Sequence, residues 1–133
     1  MSSKIRVLYA EDDPDTREMI CFALESEGFE VVCPDNPGQF LEMAKEKQWD
    51  AFMMDTWMPD ISGVDLCKKV REFDPHTPII FYTGATYERD QKHALECGAQ
   101  AYVIKPVSFE VLVKSIRGVL NPRQSAARPA SGA

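Results

Sequence analysis

Five polar side chains, Glu11, Asp12, Asp55, Thr83 and Lys105, are spread over about 95 positions and can act together only if the fold gathers them. Three are carboxylates, and packed in one place they repel. A hard divalent cation with oxygen ligands offsets that repulsion, and Mg²⁺ needs only one or two direct carboxylates plus waters. Lys105 adds a permanent positive charge that favours the ionised form of Asp55. An ionised aspartate beside Mg²⁺ and a lysine is a nucleophile suited to an incoming phosphoryl group, whose equatorial oxygens the two cations stabilise. Thr83 can donate its hydroxyl to one of those oxygens. Gly84 and Ala85 leave room beside it and offer free backbone N–H groups.

The elements that must position these residues follow from the hydrophobic pattern. Residues 5–10 form a short apolar run rich in β-formers, followed by Glu11-Asp12-Asp13-Pro14. Asp13 or Pro14 opens a helix, since proline suits the first helical turn and acids favour its N-terminus. That helix carries Met19, Ile20, Ala23 and Leu24 inward and ends at Gly28. Residues 29–33 read as a second strand, and 38–48 as a helix with Phe40, Leu41 and Ala44 inward. The apolar strand 51–54 delivers Asp55, and a helix over 63–73 turns Val64, Cys67 and Val70 inward. Strand 79–82 runs into Thr83, a helix spans 86–97 before Gly98, and strand 101–104 delivers Lys105-Pro106. Ser108 caps a last helix with Leu112, Val113, Ile116, Val119 and Leu120 inward, stopped by Asn121-Pro122.

Five βα units with almost continuously apolar strands predict an α/β fold, a doubly wound parallel sheet covered on both faces. Parallel strands share one C-terminal edge, where ligands bind at the topological switch point. With strand order 2-1-3-4-5, all five polar residues converge there. Each alone is an ordinary loop or turn residue. Their common position at the ends of strands one, three, four and five is what singles them out.

Composition narrows the function. The chain has 133 residues, enough for one domain with a real core. All 21 acidic residues precede Asn121 and two of the 15 basic ones follow it, so residues 1–120 carry 13 basic against 21 acidic side chains, a net −8. Such a charge disfavours direct binding of nucleic acid or anionic membrane and favours Mg²⁺ and basic protein surfaces. No signal peptide or long apolar stretch stands at the start, which predicts a soluble, cytoplasmic protein. Cys21, Cys33, Cys67 and Cys97 form no CxxC pair, and His93 four residues before Cys97 makes at most half a zinc site. The four read as reduced, mostly buried thiols. Residues 121–133 have no large apolar side chain and read as a disordered tail or the start of a linker.

Over residues 4–120 the chain resembles the receiver domain of two-component response regulators. The resemblance is carried by Glu11-Asp12-Asp13-Pro14, Asp55 with Met58-Pro59 and Gly63, Thr83-Gly84-Ala85, Gly98-Ala99 with Tyr102, and Lys105-Pro106. It implies a flavodoxin-like fold with a receiver domain over 1–120. In it Asp55 is the phosphoacceptor for a sensor histidine kinase or phosphotransfer protein. Asp12, Asp55 and the backbone carbonyl of Trp57 would bind Mg²⁺, with Glu11 acting through water. Thr83 and Lys105 would hold the phosphoryl group. Tyr102 would turn inward as Thr83 moves, altering the surface of helix four, strand five and helix five toward a protein partner or an output domain. Glu11 replaces the commoner aspartate. Trp57 is bulky where small or polar residues often sit, so it either shields the acyl phosphate from water or hinders small phosphodonors.

Three other readings use the same residues. A flavin- or nucleotide-binding protein of this fold needs a phosphate-cradling loop after strand one, where this chain has Glu-Asp-Asp. A haloacid-dehalogenase-type phosphohydrolase needs a second aspartate two residues after the nucleophile, and Trp57 stands there. A pseudo-receiver that only binds partners would not need every acceptor-site residue.

Overall fold

A computed structural model describes residues 4–46, 48–106 and 108–120. The tail reading for 121–133 lies outside the described residues. Ten elements alternate: β1 (Ile5–Ala10), α1 (Pro14–Ser26), β2 (Phe29–Val32), α2 (Pro37–Ala44), β3 (Ala51–Met54), α3 (Gly63–Phe73), β4 (Ile79–Thr83), α4 (Glu88–Glu96), β5 (Ala101–Ile104) and α5 (Phe109–Leu120). The strands form one parallel sheet in the order β2-β1-β3-β4-β5. This is the predicted doubly wound, flavodoxin-like α/β arrangement.

The alternation of side chains along a strand splits the core in two. Val7, Tyr9, Met53 and Ile80 face Ile20 and Leu24 of α1 and Leu112 and Ile116 of α5. Leu8, Phe52, Met54 and Phe81 face Phe40 of α2, Leu66 and Val70 of α3 and Ala94 of α4. Both faces of the central strands are therefore buried over most of their length, which is why residues 7–10, 51–54 and 79–82 are all apolar or aromatic.

Local chemistry sets the helix starts. Asp13, Asn36, Ser62 and Ser108 each accept a hydrogen bond from the backbone N–H three residues on, occupying donors that a helix start leaves unpaired. Gly28 and Gly98 take φ of +92° and +108° just after α1 and α4, a conformation that costs glycine little. Some expected boundaries shift. α2 ends at Ala44, short of residue 48, because the Trp49 indole N–H donates to the Met43 carbonyl at 2.7 Å and the chain turns toward β3. α4 begins at Glu88, after Tyr87, an N-cap without a side-chain hydrogen bond. Met19, expected inward, is half exposed, and Leu66 rather than Val64 is the fully buried residue of that turn in α3.

Candidate functional site

The sheet brings the five chemical residues to one edge. Glu11 and Asp12 follow β1, Asp55 follows β3, Thr83 ends β4 and Lys105 follows β5. Ladder-like bonds hold the frame: Asp55 N–H donates to the Ala10 carbonyl at 3.1 Å and Lys105 N–H to the Thr83 carbonyl at 2.8 Å. Glu11, Asp12 and Asp55 each bring a carboxylate oxygen to within 4.8 Å of the others'. Glu11 and Asp55 are buried and Asp12 is exposed.

Lys105 stands between the two buried acids. Its Nζ lies 2.8 Å from Glu11 Oε1 and 3.1 Å from Asp55 Oδ2. Burial by itself lowers the Lys105 ammonium, but the hydrogen bond it donates to Glu11 and the charges of Asp55 and Glu11 carry it above its ordinary value. Burial pushes the Glu11 carboxyl up and Asp55 adds to that, against the pull of Lys105. One ammonium pairs with two of the three clustered acids, which leaves net negative charge at the edge.

Tyr9 also belongs to this cluster, although nothing in the apolar run around it marks it. Its ring is fully buried under the sheet, and its hydroxyl donates to Glu11 Oε1 at 2.9 Å. Residues two apart on a strand share a face, so the pair was legible in principle, but an apolar run hides which of its members carries a polar partner. Burial first, then the Glu11 charge, pushes the Tyr9 phenol far above its ordinary value, so the hydroxyl remains a donor.

Thr83 is completely buried, and its Oγ1 accepts from the backbone N–H of Thr56 at 3.3 Å and of Ala85 at 3.1 Å. The Ala85 N–H is therefore not free, as the sequence led one to expect; the short Thr83 side chain reaches back to it. Tyr102 is half-buried, stacks on Phe81 with ring centroids 5.9 Å apart and donates its hydroxyl to the Ala85 carbonyl at 2.7 Å. Trp57 is 57% exposed, two residues after Asp55. Gly63 packs so tightly that a Cβ there would lie 2.1 Å from the Asp55 carbonyl oxygen and 2.8 Å from Phe81. A cavity of about 50 Å³ opens next to the carboxylates, walled by Asn36, Phe40, Met58 and Pro59.

This geometry has known counterparts. The sequence matches the family described as response regulator receiver domain over residues 7–117. It is 33% identical over 131 residues to the transcriptional regulatory protein TrcR of Mycobacterium tuberculosis, covering 98% of this chain and 51% of that protein. Among solved structures, a CheY-like response regulator receiver domain protein from Methanospirillum hungatei JF-1 superposes with a TM-score of 0.85 at 27% identity, covering 93% of this chain and 99% of the other. The receiver domain of the sensor histidine kinase PA1611 of Pseudomonas aeruginosa PAO1, described with magnesium in its active site cleft, shares the fold at a TM-score of 0.81 and 24% identity, over 90% of this chain and 99% of that one. The chain belongs to the response regulator receiver domains, the signalling modules of two-component systems. It spans about half the length of TrcR and of most of the other curated relatives it matches. Among the described residues no helix is long and apolar enough to cross a membrane.

Proposed function

We propose that this domain is a phosphoacceptor switch in which Asp55 takes a phosphoryl group from the phosphohistidine of a sensor kinase or phosphotransfer protein. The observation that carries the reading is the Asp55 carboxylate itself. It sits at a sheet edge 3.1 Å from the Lys105 ammonium and within reach of two further acids. An oxygen of Asp55 forms the new bond to phosphorus as the bond to the donor imidazole nitrogen breaks, and the nitrogen keeps the electron pair. Lys105 holds one phosphoryl oxygen, and the Thr83 hydroxyl donates its proton, which its two accepted backbone bonds leave available, to another. Water attacking the acyl phosphate later returns Asp55 and inorganic phosphate, so the domain acts only on its own modification and turns over no separate substrate.

The donor set fits a magnesium ion: hard carboxylate oxygens, clustered, with one lysine to balance three acids. Asp12, Asp55 and the Trp57 carbonyl would hold it and Glu11 would act through water. Bound there, it supplies positive charge for the phosphoryl oxygens. Partners follow from the same reading: a histidine kinase or phosphotransfer protein upstream, and a protein partner or an output domain downstream, with no direct contact to nucleic acid or membrane by this acidic domain. Residues 1–120 form the receiver, and residues 121–133 serve as a tail or a linker. The four unbridged cysteines fit a reducing compartment, which supports a cytoplasmic location.

The test is intact mass after incubation with Mg²⁺ and a phosphohistidine donor, which avoids any exclusion of small donors by Trp57. One added phosphoryl group is expected, and none in Asp55→Asn. Modification that persists in Asp55→Asn overturns the assignment.

A further inference from the structure

Away from the carboxylate edge, two thiols face each other. Cys21 lies in the middle of α1 and Cys33 directly follows β2, twelve positions later, and their Sγ atoms are 3.0 Å apart. Both are half-buried against the core face that holds Ile20, Leu24 and Val31. We propose that Cys21 and Cys33 form a reversible intramolecular disulfide when the protein meets a peroxide, making this contact between α1 and β2 an oxidation site separate from the phosphoacceptor.

Three observations favour this pair over the other two cysteines. The sulfurs need to approach by only about 1 Å to reach the ~2.05 Å of a disulfide bond. The pair is chemically asymmetric. The Cys33 thiol, hydrogen-bonded to Cys21, draws the Cys21 thiol below its ordinary value, and Arg17 one turn away adds to this against burial and Glu25. The same bond, and then burial, push the Cys33 thiol up, so Cys21 ionises first and Cys33 remains the proton donor. Cys67, by contrast, is fully buried, bonds the Cys97 carbonyl at 3.3 Å, and is pushed up to about 11 by burial.

The chemistry balances without a further reductant. The Cys21 thiolate attacks one peroxide oxygen, the O–O bond breaks, and the departing hydroxide takes a proton to become water, leaving a sulfenic acid on Cys21. The Cys33 sulfur then attacks Cys21 Sγ, the S–O bond breaks, and the hydroxyl leaves as a second water with the Cys33 proton. Two thiols lose two electrons and two protons, and hydrogen peroxide is reduced to two waters. The product ties α1 to the strand that leads into the loop of Pro34 and Asn36, one wall of the cavity beside Glu11 and Asp12.

The experiment uses the reduced full chain, treated with hydrogen peroxide and then alkylated. The expected result is loss of two of the four thiols and their return with dithiothreitol. Cleavage after Glu25, Glu27 and Glu30 separates the two cysteines in sequence, so the oxidised protein should yield one pair of peptides joined through Cys21 and Cys33. In Cys33→Ser, a dimedone adduct should collect on Cys21 and no internal bond should form. Retention of all four thiols, a bond that includes Cys67 or Cys97, or only bonds between chains overturns the proposal. Should Cys33→Ser fail to fold, the peptide map of the unmutated protein decides alone.

Discussion

The Lys105 ammonium is nearer to Glu11, at 2.8 Å, than to Asp55, at 3.1 Å. Because Glu11 is the more buried of the two acids, Lys105 makes a buried carboxylate tolerable. Lys105→Met removes that partner and should destabilise the metal-free protein by about 1–3 kcal/mol near neutral pH, less than for a fully buried pair because the lysine is partly exposed. Urea unfolding in a chelator reads this directly, and an unchanged midpoint contradicts it.

The pH dependence follows from the same two groups. Glu11 holds its proton more tightly folded than unfolded, so the metal-free native state binds more protons just above the ordinary glutamate value of 4.5. Stability should fall as pH rises through that range, and Glu11→Gln should flatten the fall. Lys105 is raised above 10.5, so its contribution is fully present below that pH and is lost as pH climbs through the folded value. Unfolding midpoints across both windows test each sign separately.

Asp12 and Glu11 should differ in how they serve a bound Mg²⁺. Asp12 is exposed at the mouth of the cluster, whereas Glu11 is engaged by Tyr9 and Lys105. Glu11→Ala should weaken Mg²⁺ by about 10-fold, the lower edge for a group acting through an intermediary, and Asp12→Ala by more. Trp57 fluorescence can follow the titration, since Trp49 is buried at the opposite end of β3. Equal losses would remove the division of roles.

Gly63 should tolerate no side chain. A Cβ placed 2.1 Å from the Asp55 carbonyl oxygen forces the backbone that carries Asp55 to move. Gly63→Ala should cost about 1–3 kcal/mol as overpacking does and also slow phosphoryl uptake. A stable variant with unimpaired uptake would show that the loop yields without disturbing Asp55.

The sequence made most of this arrangement readable, for a physical reason. The buried stretches of β1, β3 and β4 are apolar or aromatic up to their C-terminal ends, so the polar residue at the end of each marks the sheet edge; Lys105 after the apolar β5 joins Glu11, Asp55 and Thr83 there. What stayed hidden depends on side-chain direction. The Tyr9 hydroxyl is concealed in an apolar run. The Ala85 N–H is taken by Thr83, a bond no spacing announces. Cys21 and Cys33 meet because α1 packs on β2, and a count of cysteine spacings carries no such information. The early end of α2 depends on the Trp49 indole reaching Met43.

Phosphorylation of Asp55 should reach the surface through Thr83 and Tyr102. A phosphoryl group adds about −1.5 to −2 charges at Asp55, by analogy with phosphate esters, and its oxygens need donors. Thr83 Oγ1 now accepts from the N–H groups of Thr56 and Ala85, so a shift of the Thr83 side chain that brings its O–H to the phosphate stretches the bond from Ala85 and loosens that backbone. That backbone is what Tyr102 holds, through the 2.7 Å bond to the Ala85 carbonyl. Moving Ala85 therefore changes the seat of Tyr102, and the ring can pass from half-buried to buried against Phe81. The two packings need differ by only a few kcal/mol for phosphorylation to shift their populations. Tyr87 and Leu95 of the adjoining segment are exposed, as is Ile104 on β5, so the altered surface is one that a partner can sense. Beryllofluoride with Mg²⁺ should shift amide resonances around both Asp55 and Tyr102 in the unmutated protein. In Thr83→Ala the shifts near Asp55 should persist while those near Tyr102 shrink. If the unmutated protein shows no change near Tyr102, the relay from Thr83 through Ala85 is wrong, and the signal leaves by another face.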